Sequence, residues 1–143
     1  MALIDSSGFA HVRLTVTDIH RSKAFYDQVF GWPVAADASA EAGQPGVRES
    51  SEKIYGGVVY QTPQGSLFGL RPVGRTEFDS EHTGLDHVSF AVSSRAELEQ
   101  AATALGEAGI KHGEVRNLPD SGIAILSFQD PDDINVELTA ALS

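Results

Sequence analysis

A stretch past the middle of the chain, Leu85-Asp86-His87-Val88-Ser89-Phe90-Ala91-Val92, copies the plan of one near its start, Phe9-Ala10-His11-Val12-Arg13-Leu14-Thr15-Val16. His11 aligns with His87, Val12 with Val88, Leu14 with Phe90 and Val16 with Val92, all at one constant spacing. Apolar residues at alternate positions mark a strand, whose successive side chains point to opposite faces. Val12, Leu14 and Val16 therefore face one way, and His11, Arg13 and Thr15 the other. In the second copy Val88, Phe90 and Val92 oppose His87, Ser89 and Ala91. An internal repeat constrains the fold more than composition does: each half must build a similar unit, with a histidine on the more polar face of its first strand.

The segments after each strand also correspond. Asp18 is suited to cap a helix from about Ile19 to Phe30, with Ser22, Phe25, Tyr26, Val29 and Phe30 at helical spacing, and Gly31 and Pro33 to stop it. Ser94-Arg95-Ala96-Glu97 reads as a capping box for a helix to about Ala108, ended by Gly109. Residues 35–53 have no clear period and are expected to form a poorly specified strand or loop. Strands are expected at Ile54–Tyr60 and Ser66–Val73, around the turn Thr62-Pro63-Gln64-Gly65. In the second half strands are expected near Ile110–Val115, at Ile123–Phe128 and at Ile134–Thr139, with turns at Asn117–Gly122 and Asp130–Asp133. The order is strand, helix, then three strands, twice. Residues 9–73 make the first module, the polar stretch 74–83 a linker, and 84–143 the second module.

With 143 residues, 41% hydrophobic and 21% charged, the chain has the make-up of a globular protein. A formal charge of −10 argues against nucleic acid as a partner, since phosphate binding calls for a basic patch. No apolar run nears the ~20 residues of a membrane span, and Met1–Asp5 lacks the pattern of a signal peptide, so a cytoplasmic location is expected. The absence of cysteine excludes disulfides, thiolate metal sites and cysteine nucleophiles.

The run His11-Val12-x-Leu14-x-Val16-x-Asp18, then Ser22-x-x-Phe25-Tyr26 and Phe30-Gly31, is similar to the opening of the vicinal oxygen chelate superfamily. This group holds glyoxalase I, extradiol dioxygenases, methylmalonyl-CoA epimerase, fosfomycin-modifying enzymes and bleomycin-resistance proteins. The ending, Asp130-Pro131-Asp132-Asp133-Ile134-Asn135-Val136-Glu137-Leu138, resembles its closing turn and strand. The resemblance implies an α+β fold in which two βαβββ modules form a curved mixed sheet around a central cavity. It also implies a divalent metal ion (Fe, Mn, Co, Ni or Zn) held by His11, His87 and Glu137, with Glu137 the catalytic carboxylate. Aligning the two closing turns sets Gly69 opposite Glu137, so a fourth protein ligand is missing. Two imidazoles and one carboxylate leave coordination positions for water or substrate.

By strand alternation Arg13, Thr15, Tyr60, Ser89 and Ser127 are expected to line the substrate site. Arg13 is equally suited to hold an anionic substrate group or to pair with Glu137. His20, His82 and His112 are expected to face solvent, and Glu49 and Glu52 to sit in a solvated loop. The function implied is a metal-dependent enzyme, lyase/isomerase-like or dioxygenase-like, acting on a small molecule that chelates through adjacent oxygens. Gly69 weakens the four-ligand glyoxalase and epimerase chemistry. Ser127 and Phe128 stand about where extradiol enzymes carry a tyrosine, some ten residues before the last Glu. The alternative is a non-catalytic protein that sequesters a bleomycin-type drug, which the acidic charge suits. Family analogy implies a homodimer.

Overall fold

The computed structural model describes residues 2–142. They fall into two compact units, one running through Thr76 and the other starting at Glu77. Each has the order expected from the repeat. The first comprises β1 (His11–Thr15), α1 (Ile19–Val29), β2 (Val34–Asp37), β3 (Val58–Gln61) and β4 (Leu67–Arg71). The second comprises β5 (Val88–Ala91), α2 (Arg95–Glu107), β6 (Arg116–Leu118), β7 (Ile123–Gln129) and β8 (Asn135–Ala141). Both are α+β, each with a four-stranded mixed sheet, ordered β1-β4-β3-β2 and β5-β8-β7-β6.

In each sheet the first strand runs parallel to the last, and the remaining neighbours are antiparallel. Parallel neighbours need a long crossover, which the helix and the following strands supply. The helices start where their caps dictate. Asp18 Oδ1 accepts from the N–H groups of His20 and Arg21 at 3.0 and 3.2 Å. Ser94 Oγ accepts from Glu97 N–H, while the Glu97 carboxylate accepts from Ser93 N–H, one residue earlier than a strict capping box requires. That bond holds the Glu97 carboxyl below its usual range. Gly31 and Gly109 follow the two helices in left-handed conformations.

One face of each sheet is apolar and carries the core. In the first unit Leu14, Val16, Val58, Tyr60, Phe68 and Leu70 are buried together with Ile19 and Tyr26 of α1. The Tyr26 ring meets Phe68 edge-on, with centroids 5.1 Å apart. In the second unit Leu126, Phe128, Val136, Leu138 and Ala140 are buried with Leu98 and Leu105 of α2. The Asp130-Pro131-Asp132-Asp133 turn closes on a buried carboxylate: Asp130 Oδ1 accepts from Asp132 and Ile134 N–H. No helix among the described residues is long and apolar enough to cross a membrane.

Two segments, at 110–115 and 54–57, differ from expectation. The strand expected at 110–115 forms instead at Arg116–Leu118, and His112 makes only an isolated bridge to Phe128. Pairing is possible up to Leu118 because a short 3₁₀ turn at Pro119–Ser121 and left-handed Gly122 close a tighter hairpin than the expected Asn117–Gly122 turn. Residues 35–53 yield β2 at their edge and then short 3₁₀ turns. Residues 54–56 form a 3₁₀ turn in which Ile54 and Tyr55 have φ of 43° and 58°, so β3 starts only at Val58. Gly57 explains why that turn holds its position. A Cβ there would run into the carbonyl oxygen of Leu70, and Ile54 O would lie 2.9 Å away.

Gly57→Ala is therefore expected to destabilise the chain by about 2–3 kcal/mol, because backbone rather than a flexible side chain must yield. Gly43→Ala, with open space around it and an ordinary φ, is expected to stay within about 0.5 kcal/mol. Urea midpoints of the two variants check this.

Candidate metal and anion-binding faces

Strand register determines which side chains share a face. In the second unit Ser89 pairs with Glu137 across β5 and β8, and Ser127 pairs with Glu137 across β7 and β8. Ser89, Ser127 and Glu137 therefore lie side by side on the face opposite the core, with Thr139 two residues along β8. Ser89 Oγ and Thr139 Oγ1 are 2.5 Å apart, and Thr139 Oγ1 donates to Glu137 Oε1 at 3.2 Å. The Glu137 carboxylate is thus held in place, with its side chain 15% exposed.

His87 lies just before β5, and its Nε2 is 3.7 Å from Glu137 Oε1. That is too long for a hydrogen bond. It is a few tenths of an ångström beyond the roughly 3.0–3.4 Å that separates two donors each bound at about 2.1 Å to one ion. On the other side of the ring, Nδ1 is 2.5 Å from Asp86 Oδ1. A carboxylate on one imidazole nitrogen fixes the tautomer that leaves the other nitrogen's lone pair free, the arrangement usual behind a metal-binding histidine. Asp86 and Thr139 are absent from the alternation-based set. Asp86 was visible as the carboxylate next to His87, but alternation would place neighbours on opposite faces. The two meet because they precede the strand, where the backbone bends.

His11 occupies the matching position in the first unit, at the start of β1 and exposed. There the polar face has a different character. Arg13 pairs with Gly69 across β1 and β4, as Ser89 pairs with Glu137 in the second unit, so register puts glycine at the place of the carboxylate. Arg13 lies across that glycine, since a Cβ on Gly69 would sit 3.3 Å from Arg13 Cδ. Thr15 pairs with Arg71, on the same face. Tyr55 joins them: the guanidinium carbons of Arg71 and Arg13 lie 3.8 and 5.4 Å from its ring centroid. Holding Ile54 and Tyr55 at positive φ costs on the order of 1 kcal/mol each.

Tyr60 does not join the polar face. It pairs with Phe68 on the apolar side of the sheet, is fully buried, and donates its hydroxyl to Asp27 Oδ1 of α1 at 2.9 Å. Burial, and then this bond, push its phenol far above the usual range. Alternation alone could not choose between Val59 and Tyr60 for the buried face, because both are apolar enough to fill it. His20, His82, His112, Glu49 and Glu52 are all exposed. Among the described residues no three or more His, Asp or Glu side chains gather as the ligands of one metal ion. The geometry thus supplies a His87–Glu137 pair in one unit and His11 beside an arginine–tyrosine cluster in the other.

A family model for the glyoxalase/bleomycin resistance protein/dioxygenase superfamily matches residues 8–138. The chain belongs to this superfamily. Its fold places it there too. A glyoxylase/bleomycin resistance protein/dioxygenase domain from Frankia sp. EAN1pec superposes with a TM-score of 0.75 and 28% identity, covering 96% of this chain and 99% of that one. The fosfomycin resistance protein FosX from Listeria monocytogenes, solved with Mn(II) and dihydroxypropylphosphonic acid, superposes at 0.72 with 17% identity over 96% of this chain and 94% of its own. Such identity speaks for the fold alone. An uncharacterized Bacillus subtilis (strain 168) protein, YwkD, is 29% identical over 128 residues, spanning 90% of this chain and 92% of its own. Membership places the chain among superfamily proteins that include metalloenzymes, on an architecture that hosts several chemistries.

Tyr60→Phe is expected to lower stability by about 1 kcal/mol, the net worth of its hydrogen bond to Asp27. Its binding of any ligand should be unchanged. Urea unfolding beside a ligand titration of the same variant checks both halves of this expectation.

Proposed function

We propose that the chain is a metal-dependent enzyme of this superfamily, acting on a small molecule that binds through adjacent oxygens. His11, His87 and Glu137 would hold a divalent ion, one of Fe, Mn, Co, Ni or Zn, which the chemistry of two imidazoles and a carboxylate suits. The observation that carries this reading is the pair His87 Nε2 and Glu137 Oε1, 3.7 Å apart, with Asp86 behind the imidazole. A bound ion would polarise the chelating oxygens and stabilise negative charge that develops on them. The protein's own groups have separable tasks. Asp86 orients His87 through Nδ1, and Thr139 fixes the Glu137 carboxylate. Glu137 is also the candidate to move a substrate proton, since it is the carboxylate placed beside His87 Nε2. Ser89 and Ser127 flank it in register and are proposed to contact substrate, as are Arg13 and Thr15 on the first unit. The absence of a carboxylate at Gly69 favours a three-ligand site over the four-ligand chemistry of glyoxalase I. A cytoplasmic homodimer belongs to the same proposal, with His11 supplied by the same chain or by a second copy.

Protein purified without a histidine tag is expected to carry one divalent ion per chain by elemental analysis. His87→Ala should lose it, and Asp86→Asn should bind it about 10–100-fold more weakly. Metal-free protein that binds a bleomycin-type cation tightly would overturn the enzyme reading in favour of sequestration.

A further inference from the structure

We propose that Arg13 and Arg71, stacked on Tyr55, form a binding site for the oxyanion group of a small organic molecule, a carboxylate or a phosphonate. Four observations converge on these residues. First, neither guanidinium pairs with a carboxylate among the described residues, although the chain has 20 Asp+Glu against 10 Lys+Arg. Lys23, Lys53 and Arg95 each have an acidic partner at 3.0 Å or less, and the exposed Arg48, Arg75, Lys111 and Arg116 share the lack of one, but Arg13 and Arg71 are set apart by gathering on one aromatic ring. Two neighbouring cations left without one, in so acidic a chain, are a local excess of positive charge.

Second, the Nε–H of Arg71 is buried and has no hydrogen-bond acceptor. A buried donor without a partner is unfavourable; the position is closed to water and so to a ligand oxygen as it stands, and a small outward turn of the side chain would let a planar oxyanion take Nε–H and an Nη–H together. Third, the cluster is braced. Tyr55 has positive φ and is followed by two glycines packed closely on backbone, since a Cβ on Gly56 would come 2.8 Å from Ala42 Cα and one on Gly57 would strike Leu70. The ring fixes the Arg71 guanidinium at 3.8 Å, within cation–π range, without neutralising it. Fourth, Gly69 keeps the position beside Arg13 free of a side chain. In the second unit the same register position carries Glu137, and a carboxylate at Gly69 would occupy Arg13.

His11 and Thr15 flank Arg13 on one strand face, so an anion held here leaves the rest of its molecule next to His11. That this molecule is the substrate of the metal centre rests on the function proposed above; the anion site does not. The test uses the full-length chain stripped of metal with EDTA. The side-chain Nε–H resonances of Arg13 and Arg71, assigned from the Arg13→Gln and Arg71→Gln variants, are followed by NMR during titration with propionate, propylphosphonate and neutral propionamide. Saturable shifts with at least one anion and none with propionamide are expected, and the tighter anion identifies the group. Each Arg→Gln variant should weaken binding by about tenfold or more. Arg71→Lys, which keeps the charge but not the planar fork, should weaken it several-fold. Gly69→Glu, which gives Arg13 an internal carboxylate, should abolish it. If Arg71→Gln does not fold, the lysine and Gly69→Glu variants decide the matter. Shifts that persist in His87→Ala would separate this site from the metal centre. Absence of saturation by both anions, equal shifts with propionamide, or unchanged affinity in the Arg variants would overturn the proposal.

Discussion

Everything proposed for this chain depends on the parallel pairing of the first strand with the last in each unit. That pairing brings residues far apart in sequence to one line across the sheet, Arg13 beside Gly69 and Ser89 beside Glu137. Paired residues share a face, so a slip of one position would turn Glu137 into the core and Val136 outward. The buried faces resist such a slip. Val136, Leu138 and Ala140 are almost wholly removed from water, and burying a polar group in their place would be costly without partners. The functional face is held in register by the hydrophobic one behind it.

The two units apply this framework to opposite electrostatic ends. In the second, a histidine and a glutamate approach each other, each with a further hydrogen-bond partner, on a face suited to a cation. In the first, glycine replaces the glutamate, and two arginines gather on an aromatic ring, which suits an anion. Repetition preserved the backbone pairing while the side chains at equivalent positions diverged. Gly69 is central to this divergence because removing a side chain there both eliminates a ligand and makes space for Arg13.

Much of this was legible along the chain. Both helices begin at Asp18 and Ser94, where the capping residues lie, and the alternation around His11 and His87 marks β1 and β5. Local signals suffice for these because each capping bond spans only two or three residues. Aligning the two closing turns sets Gly69 opposite Glu137, and the register agrees, Gly69 facing Arg13 as Glu137 faces Ser89. The signals failed where a conformation depends on distant packing. Ile54 and Tyr55 have the composition of a strand, yet tight contacts of Gly56 with Ala42 and of Gly57 with Leu70 impose a turn. The strand expected at 110–115 moved toward Pro119 because the geometry of the hairpin, not propensity, sets where pairing with β7 begins.

The sequence by itself determined the repeat, the order of elements in each half, the caps, and the residues that alternate with the core. Tertiary structure decided the rest. It sent Tyr60 inward to Asp27, set Asp86 behind His87, and stacked Arg13 and Arg71 on Tyr55. The physical reason is range: side-chain alternation and capping are settled within a few residues, whereas a hydrogen bond or a stacked ring between distant segments exists only once the sheet has brought them together.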